Sequence, residues 1–155
     1  MRRALVGTAR VTTALALCGV GWQAAHAQDA PGKPLFEKTC AACHQPDASG
    51  TVGLAPSLRG AHWKALGRSA DYAATVILKG LSGRIEVDGR PFVGSMPTFA
   101  AQFDDAQVVE LVAWLRSLQG ATPVPLTAQE VAGLRAAPGN PAQTRELRQR
   151  LMQAP

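Results

Sequence analysis

At 155 residues the chain has room for one small domain and its appendages, because domains commonly run about 100–150 residues. An aromatic fraction of 5% leaves few large side chains for a core, so a domain this small needs a further apolar element or staple. The formal charge of +5 is partly a leader effect: the first 27 residues hold Arg2, Arg3 and Arg10 and no acid, and 16 basic residues less these 3 leave 13 against 11, a net +2, which removes the compositional case for nucleic-acid binding.

Residues 1–27 read as a secretory signal peptide. Met1 to Arg10 is basic, Val11 to Val20 is apolar, and Ala25-His26-Ala27 offers the small-x-small cleavage pattern. The apolar run of about ten residues is well short of the ~20 that a spanning helix needs. Cys18 lies inside it, but Leu17 stands where lipid attachment wants a small residue. Cleavage at Ala27 leaves Gln28 first and two cysteines, in a periplasmic location. Residues 28–33 form a flexible lead.

From Pro34 to Cys43 the chain predicts a helix, with Pro34 in the first turn and Leu35, Phe36, Thr39, Cys40 and Cys43 on one side. Phe36 reads as core. The helix carries Cys40-Ala41-Ala42-Cys43-His44, a C-x-x-C-H run that reads as the attachment site of haem c. Two thiols three positions apart can each add across a vinyl group of one porphyrin, and His44 then supplies an imidazole nitrogen to the iron. A redox-active pair, a structural disulfide and half a zinc site are the other readings of C-x-x-C. No second Cys/His pair stands at metal spacing, and the preceding stretch is amphipathic rather than a strand. A buried porphyrin would also be the largest apolar element of so small a core.

Gln45 to Gly60 is rich in Pro, Gly, Ser and Asp and predicts a loop. A second helical segment spans Ala61 to Lys79, with Ser69 as its N-cap, Tyr72, Val76 and Ile77 inward, and Gly80 at its end. His62 could compete for the iron but reads as a surface or propionate-edge residue; Trp63 reads as core, with donation of its indole N–H to a propionate as the functional alternative. Ile85 to Arg90 alternates around Asp88-Gly89 and predicts a small hairpin. Asp104 to Gln119 is the clearest helix, with Asp104 and Gln107 as a capping box, Val108, Leu111, Val112, Leu115 and Leu118 at three-and-four spacing, Trp114 beside Phe36, and Gly120 as the stop. Residues 121–155 form a Pro-broken helical extension. Thr127 and Glu130 cap a short helix carrying Val131 and Leu134, and a modestly basic stretch through Arg145, Leu147, Arg148, Arg150 and Leu151 follows Pro141. It reads as an appendage packed on the main domain, with partner docking or a membrane edge as the alternative.

These features resemble the class I monohaem c-type cytochromes. Beyond the pentapeptide, Gly53-Leu54-Ala55-Pro56-Ser57-Leu58-Arg59-Gly60 is similar to that family's Gly-Pro-x-Leu-x-Gly loop, and Val93-Gly94-Ser95-Met96-Pro97 to its distal-ligand loop. The resemblance implies that the Pro56 carbonyl accepts a bond from His44, that Leu58 touches the haem, that Gly60 closes the loop and that Met96 gives its thioether to the iron. Ala55 departs from the family's usual glycine. The implied fold is all-α, a cytochrome c fold of about three to five helices around one covalent haem in residues 34–120, with first and last helices crossing.

The implied function is a periplasmic electron carrier, not an enzyme, that exchanges single electrons with redox partners: a dehydrogenase or bc-type complex on one side, an oxidase or reductase on the other. Lys33, Lys38, Lys64, Arg68 and Lys79 are candidates for steering. Gly80-Leu81-Ser82-Gly83 and the excursion before Met96 are similar to cytochrome subunits of periplasmic alcohol, aldehyde or sugar dehydrogenases, which makes a dedicated subunit the alternative. A haem sensor or peroxidase-like enzyme is a third reading.

Overall fold

The computed structural model describes residues 31–120 and 125–154; the leader, its cleavage site and residues 28–30 of the lead lie outside them. Helix α1 (Gly32–Thr39) runs almost directly into α2 (Ala41–His44), with Cys40 at the joint in helical geometry. The expected single helix from Pro34 thus begins two residues earlier, inside the lead, and breaks once. Gly32 explains the early start. It is buried, and a Cβ on it would lie 2.1 Å from the Glu110 carbonyl oxygen, so only glycine lets α1 cross this close to α5 (Asp105–Leu118). Phe36 and Trp114 lock the same crossing, their ring centroids 4.5 Å apart and tilted by 45°.

The predicted Ala61–Lys79 segment divides into α3 (Trp63–Leu66) and α4 (Tyr72–Lys79). Ser69 does not cap α4: its hydroxyl bonds the Asp71 carboxylate, and Asp71 holds the N-cap position without a side-chain bond to the helix. Tyr72 and Ile77 are buried as expected, whereas Val76 is half-buried.

An antiparallel hairpin follows, β1 (Leu81–Val87) and β2 (Arg90–Met96). Its two-residue turn has Asp88 at φ 49° and Gly89 at φ 75°, the left-handed pair that a tight hairpin requires. The hairpin is longer than the Ile85–Arg90 excursion read from the sequence. Its register pairs Leu81 with Met96 and Val87 with Arg90, so the turn at one end places Met96 at the other, beside the end of α4.

Helix α5 carries its predicted capping box, Asp104 Oδ1 accepting from Gln107 N–H at 2.8 Å and Gln107 Oε1 from Asp104 N–H at 3.0 Å. Helix α6 (Ala128–Ala136) has the Thr127–Glu130 box, and α7 (Pro141–Gln153) is capped by Asn140 with Pro141 in its first turn. Among the described residues five helices therefore precede residue 120 and two follow it. Phe36, Leu111, Val112, Trp114 and Val131 sit in one core, and Trp63, Leu66 and Tyr72 form a second with Leu147 and Leu151 of α7.

The extension is bonded tightly to the rest. Arg135 donates to the Asp105 carboxylate and the Phe103 carbonyl, both at 2.8 Å, and to the Ala100 carbonyl. Lys79 returns the arrangement by donating to the Arg135 and Ala137 carbonyls at 2.9 and 2.7 Å, where the C-terminal end of α6 attracts a cation.

The α1–α5 crossing gives a direct test. Gly32→Ala overpacks a backbone contact and costs about 1–3 kcal/mol. The expected outcome in urea unfolding followed by far-UV circular dichroism is a lowered midpoint at unchanged m-value.

Candidate functional site

A cavity opens between α2, the loop after it, α3, α4, the hairpin and α7. Counting the open solvent at its mouth, it spans about 1270 Å³. Cys40, Cys43, His44, Pro56, Leu58 and Met96, the six positions singled out by the sequence, all line it. Apolar side chains such as Phe36, Val76, Ile77 and Leu111 make up most of the remaining wall.

His44 is buried at 6% exposure. Its Nδ1 lies 3.0 Å from the Pro56 carbonyl oxygen, which can only accept, so the proton sits on Nδ1 and the lone pair on Nε2. Burial pushes its pKa below the usual imidazole value, the bond to Pro56 opposing this in part. The ring is thus fixed in the neutral tautomer that can serve as a ligand.

The loop that presents Pro56 is tied to α2. Thr51 Oγ1 donates to the Cys43 carbonyl at 2.8 Å, and Gly50 N–H donates to the His44 carbonyl at 2.8 Å. Gly50 has φ +83°, and a Cβ there would lie 2.6 Å from the Pro56 carbonyl carbon; this glycine, read only as loop, is what lets the strap cross so closely. Ala55, in the family's glycine position, is absent from the positive-φ residues and exchanges two 2.9 Å backbone bonds with Thr51, so alanine fits there without strain. Gly60 is the constrained position: at φ +122° its Cβ would lie 2.5 Å from Asp88 Oδ2.

Cys40 is half-buried and Cys43 exposed, and neither forms a disulfide. Burial first, and the neighbouring Cys43 second, push the Cys40 thiol up to about 11. A redox-active C-x-x-C cysteine needs the opposite shift. An uncharged sulfur, as in a thioether, suits this apolar wall. Among the described residues no group of three or more His, Cys, Asp and Glu side chains converges on a metal-sized site.

His62 is not on the surface. It is buried at 6% exposure and lines the cavity, its Nδ1 2.9 Å from Asp88 Oδ1. Asp88 also accepts from the His62 backbone N–H at 3.2 Å, and these two bonds hold its carboxyl below the usual range. Trp63 packs in the second core, yet its Nε1 is buried with no acceptor among the described residues and it lines the same cavity. A buried donor without an acceptor is costly, and a carboxylate-bearing cofactor in this space would supply the acceptor. Of the two methionines among the described residues, Met96 lines the cavity, while Met152 packs against the Trp63 core. The residues present therefore fit a covalently attached haem.

Residues 30–119 match the family model for cytochrome c. The chain belongs to the cytochrome c family. As a cytochrome c it binds haem c covalently, with Cys40 and Cys43 at the spacing the linkage requires, and its role is electron transfer. Its relatives include cytochrome c-552 of Thermus thermophilus, 34% identical over 129 residues covering 79% of this chain and 97% of the relative. The gluconate 2-dehydrogenase cytochrome c subunit of Pantoea cypripedii is 33% identical over 107 residues, covering 67% of this chain and 24% of that protein. The Cbb3-type cytochrome c oxidase subunit CcoP of an Azospirillum species is 31% identical over 97 residues, covering 59% and 29%.

The buried His44 makes stability pH-dependent with a defined sign. Its folded pKa lies below the unfolded value of 6.5, so both states are neutral above 6.5, while below it the unfolded chain takes up a proton that the folded chain refuses. In the haem-free chain, where no iron holds His44, the urea midpoint is expected to fall as pH drops from 7.5 through 6.5 toward 5, with His44 adding up to about one proton taken up on unfolding; a midpoint that rises over that range contradicts the assignment.

Proposed function

We propose that this cytochrome c is a periplasmic carrier of single electrons, not an enzyme, and that His44 and Met96 are the two axial ligands of its haem. The observation that carries the reading is the 3.0 Å contact from His44 Nδ1 to the Pro56 carbonyl, which leaves Nε2 as the free nitrogen in the cavity wall. Met96 is favoured as the second ligand because it lines that cavity and Met152 does not. The rival, His62, also lines the cavity with its Nδ1 on Asp88; Met96 is preferred to it because its loop resembles the distal-ligand loop of the family. Leu58 packs between the two apolar cores and also faces the cavity, as a haem contact would.

The haem, when bound, supplies an iron that alternates between ferric and ferrous. The protein's part is to hold both axial positions with its own side chains, fix the ring through Cys40 and Cys43, and exclude water with the apolar wall. A soft thioether and a low-dielectric shell both favour the reduced state and raise the potential. With both axial positions held by side chains, the chemistry such a group would supply is exchange of an electron, and Cys43, one of its two attachment points, is exposed at the cavity wall.

The periplasmic location is supported by the basic, apolar and small-residue pattern of residues 1–27; among the described residues no helix is long and apolar enough to cross a membrane. We take residues 34–120 as the haem domain and 121–155 as an extension. The partners are other redox proteins, a dehydrogenase or bc-type complex as donor and an oxidase or reductase as acceptor. Steering by a basic ring is weak: Lys33 pairs with Glu37 at 2.6 Å, Lys79 is bonded to α6 and Arg68, though exposed, donates to the Ala154 carbonyl at 2.8 Å, which leaves Lys38 and Lys64 as further exposed candidates. A dedicated subunit of a dehydrogenase complex is the second reading, favoured by the gluconate dehydrogenase relative. Coverage of 97% of cytochrome c-552 against 24% of that subunit favours the carrier.

Two measurements test the site. The oxidised protein is expected to display the methionine-to-iron charge-transfer band at neutral pH and to resist cyanide; Met96→Ala loses the band, binds cyanide readily and has a lower potential, within the roughly 0.8 V range that axial ligands span. A wild-type protein without the band and open to cyanide overturns the distal assignment. Cys40→Ala or Cys43→Ala leaves at most one thioether, read as a shifted pyridine haemochrome band and a reduced holoprotein yield.

A further inference from the structure

The family match ends at residue 119, but the cavity wall does not. Arg148, on α7, lines the cavity and is 4% exposed. Its Nη2 donates to the Glu86 backbone carbonyl at 2.6 Å and its Nη1 to the Tyr72 hydroxyl at 3.4 Å. Both partners are neutral. Among the described residues the ion pairs are Lys33–Glu37, Arg59–Asp47, His62–Asp88 and Arg135–Asp105, and Arg148 is in none of them. A guanidinium keeps its charge at any ordinary pH, and an ion taken out of water without a counter-charge is strongly unfavourable.

Two further donors stand in the same part of the wall. The Trp63 indole N–H is buried with no acceptor, and the Trp63 and Tyr72 rings are 6.0 Å apart. An otherwise apolar cavity thus gathers a cation, an unused N–H and a phenol, with no acid among them. What this group lacks is a buried anion that accepts hydrogen bonds. Haem c brings carboxylates on an otherwise apolar ring, and a guanidinium is the side chain best shaped to meet one.

We propose that Arg148 of the C-terminal extension is the buried counter-charge of a haem carboxylate, shared with the Trp63 N–H, so that the extension completes the cofactor site and raises its reduction potential. The inference rests on the haem occupying this cavity. An ionised carboxylate near the iron favours the ferric state, and neutralising it favours uptake of the electron. Arg148 is a positioning and charge-setting residue rather than an iron ligand.

The test uses the full-length holoprotein and follows the midpoint potential, with thermal unfolding in parallel. A unit charge about 10 Å away at an effective dielectric near 20 changes a one-electron equilibrium on the order of tenfold. Arg148→Gln is therefore expected to lower the reduction constant about tenfold, ~59 mV for a one-electron couple. Arg148→Lys, which keeps the charge, should recover more than half of that shift, and Trp63→Phe, which removes one N–H, should lower the constant by less than Arg148→Gln does. A merely structural Arg148 would move the melting temperature and leave the potential alone. An Arg148→Gln potential within twofold of wild type overturns the proposal, as does a lysine variant no better than the glutamine one. If Arg148→Gln yields no holoprotein, Trp63→Phe decides: a wild-type potential in that variant overturns the proposal, and a lowered one supports it. The underlying haem reading fails separately, if the wild-type protein carries no haem by pyridine haemochrome assay.

Discussion

The hydrogen bond between His44 Nδ1 and the Pro56 carbonyl is the constraint on which the rest depends. It joins the end of α2 to a loop twelve residues further on, and it decides which imidazole nitrogen is left for a metal. The bond is short because the loop is strapped back by Thr51 and Gly50 and because Gly50 has no side chain to hold Pro56 away. The α1–α5 crossing then fixes α2, since the two helices share a joint at Cys40. A packing detail at Gly32 and a ligand's tautomer are thus parts of one chain of contacts.

Electrostatics follow the same economy. His44 is neutral because it is buried, and Cys40 is kept uncharged by the same cause. The Asp88 carboxylate, which is half-exposed, holds the buried His62 from outside. It does so from the tip of the hairpin whose far end carries Met96, so the hairpin is anchored at its turn while its last residue faces the cavity.

The residues with intrinsic chemistry were legible in the sequence, as were the elements with strong local signals. The pentapeptide and the boxes at Asp104 and Thr127 need only spacing and residue type, whereas the Pro56 loop and Met96 are singled out by the resemblance to class I cytochromes c. Positions governed by tertiary contact were not. Gly32 looked like part of a lead because nothing local marks a backbone crossing, and Ser69 looked like a cap because sequence cannot tell that its hydroxyl turns to Asp71. The sequence reads His62 as a surface or propionate-edge residue, and its burial is not visible there because its partner Asp88 is 26 positions away. The hairpin was read as shorter than it is, since Gly83, Gly94 and Pro91 weaken the strand pattern although the ladder forms across them. Arg148 was one arginine in a basic stretch, and only the packing of α7 on β1 and Tyr72 singles it out.

The position of α7 in the chain means that the cavity is lined by residues far apart in sequence. Cys40, Cys43 and His44 come from the joint and second helix near the start of the described residues and Arg148 from the last helix. A chain cut at residue 119, where the family match ends, would therefore lack part of the cavity's lining. The extension belongs to the site as well as to the surface, and shortening it changes both.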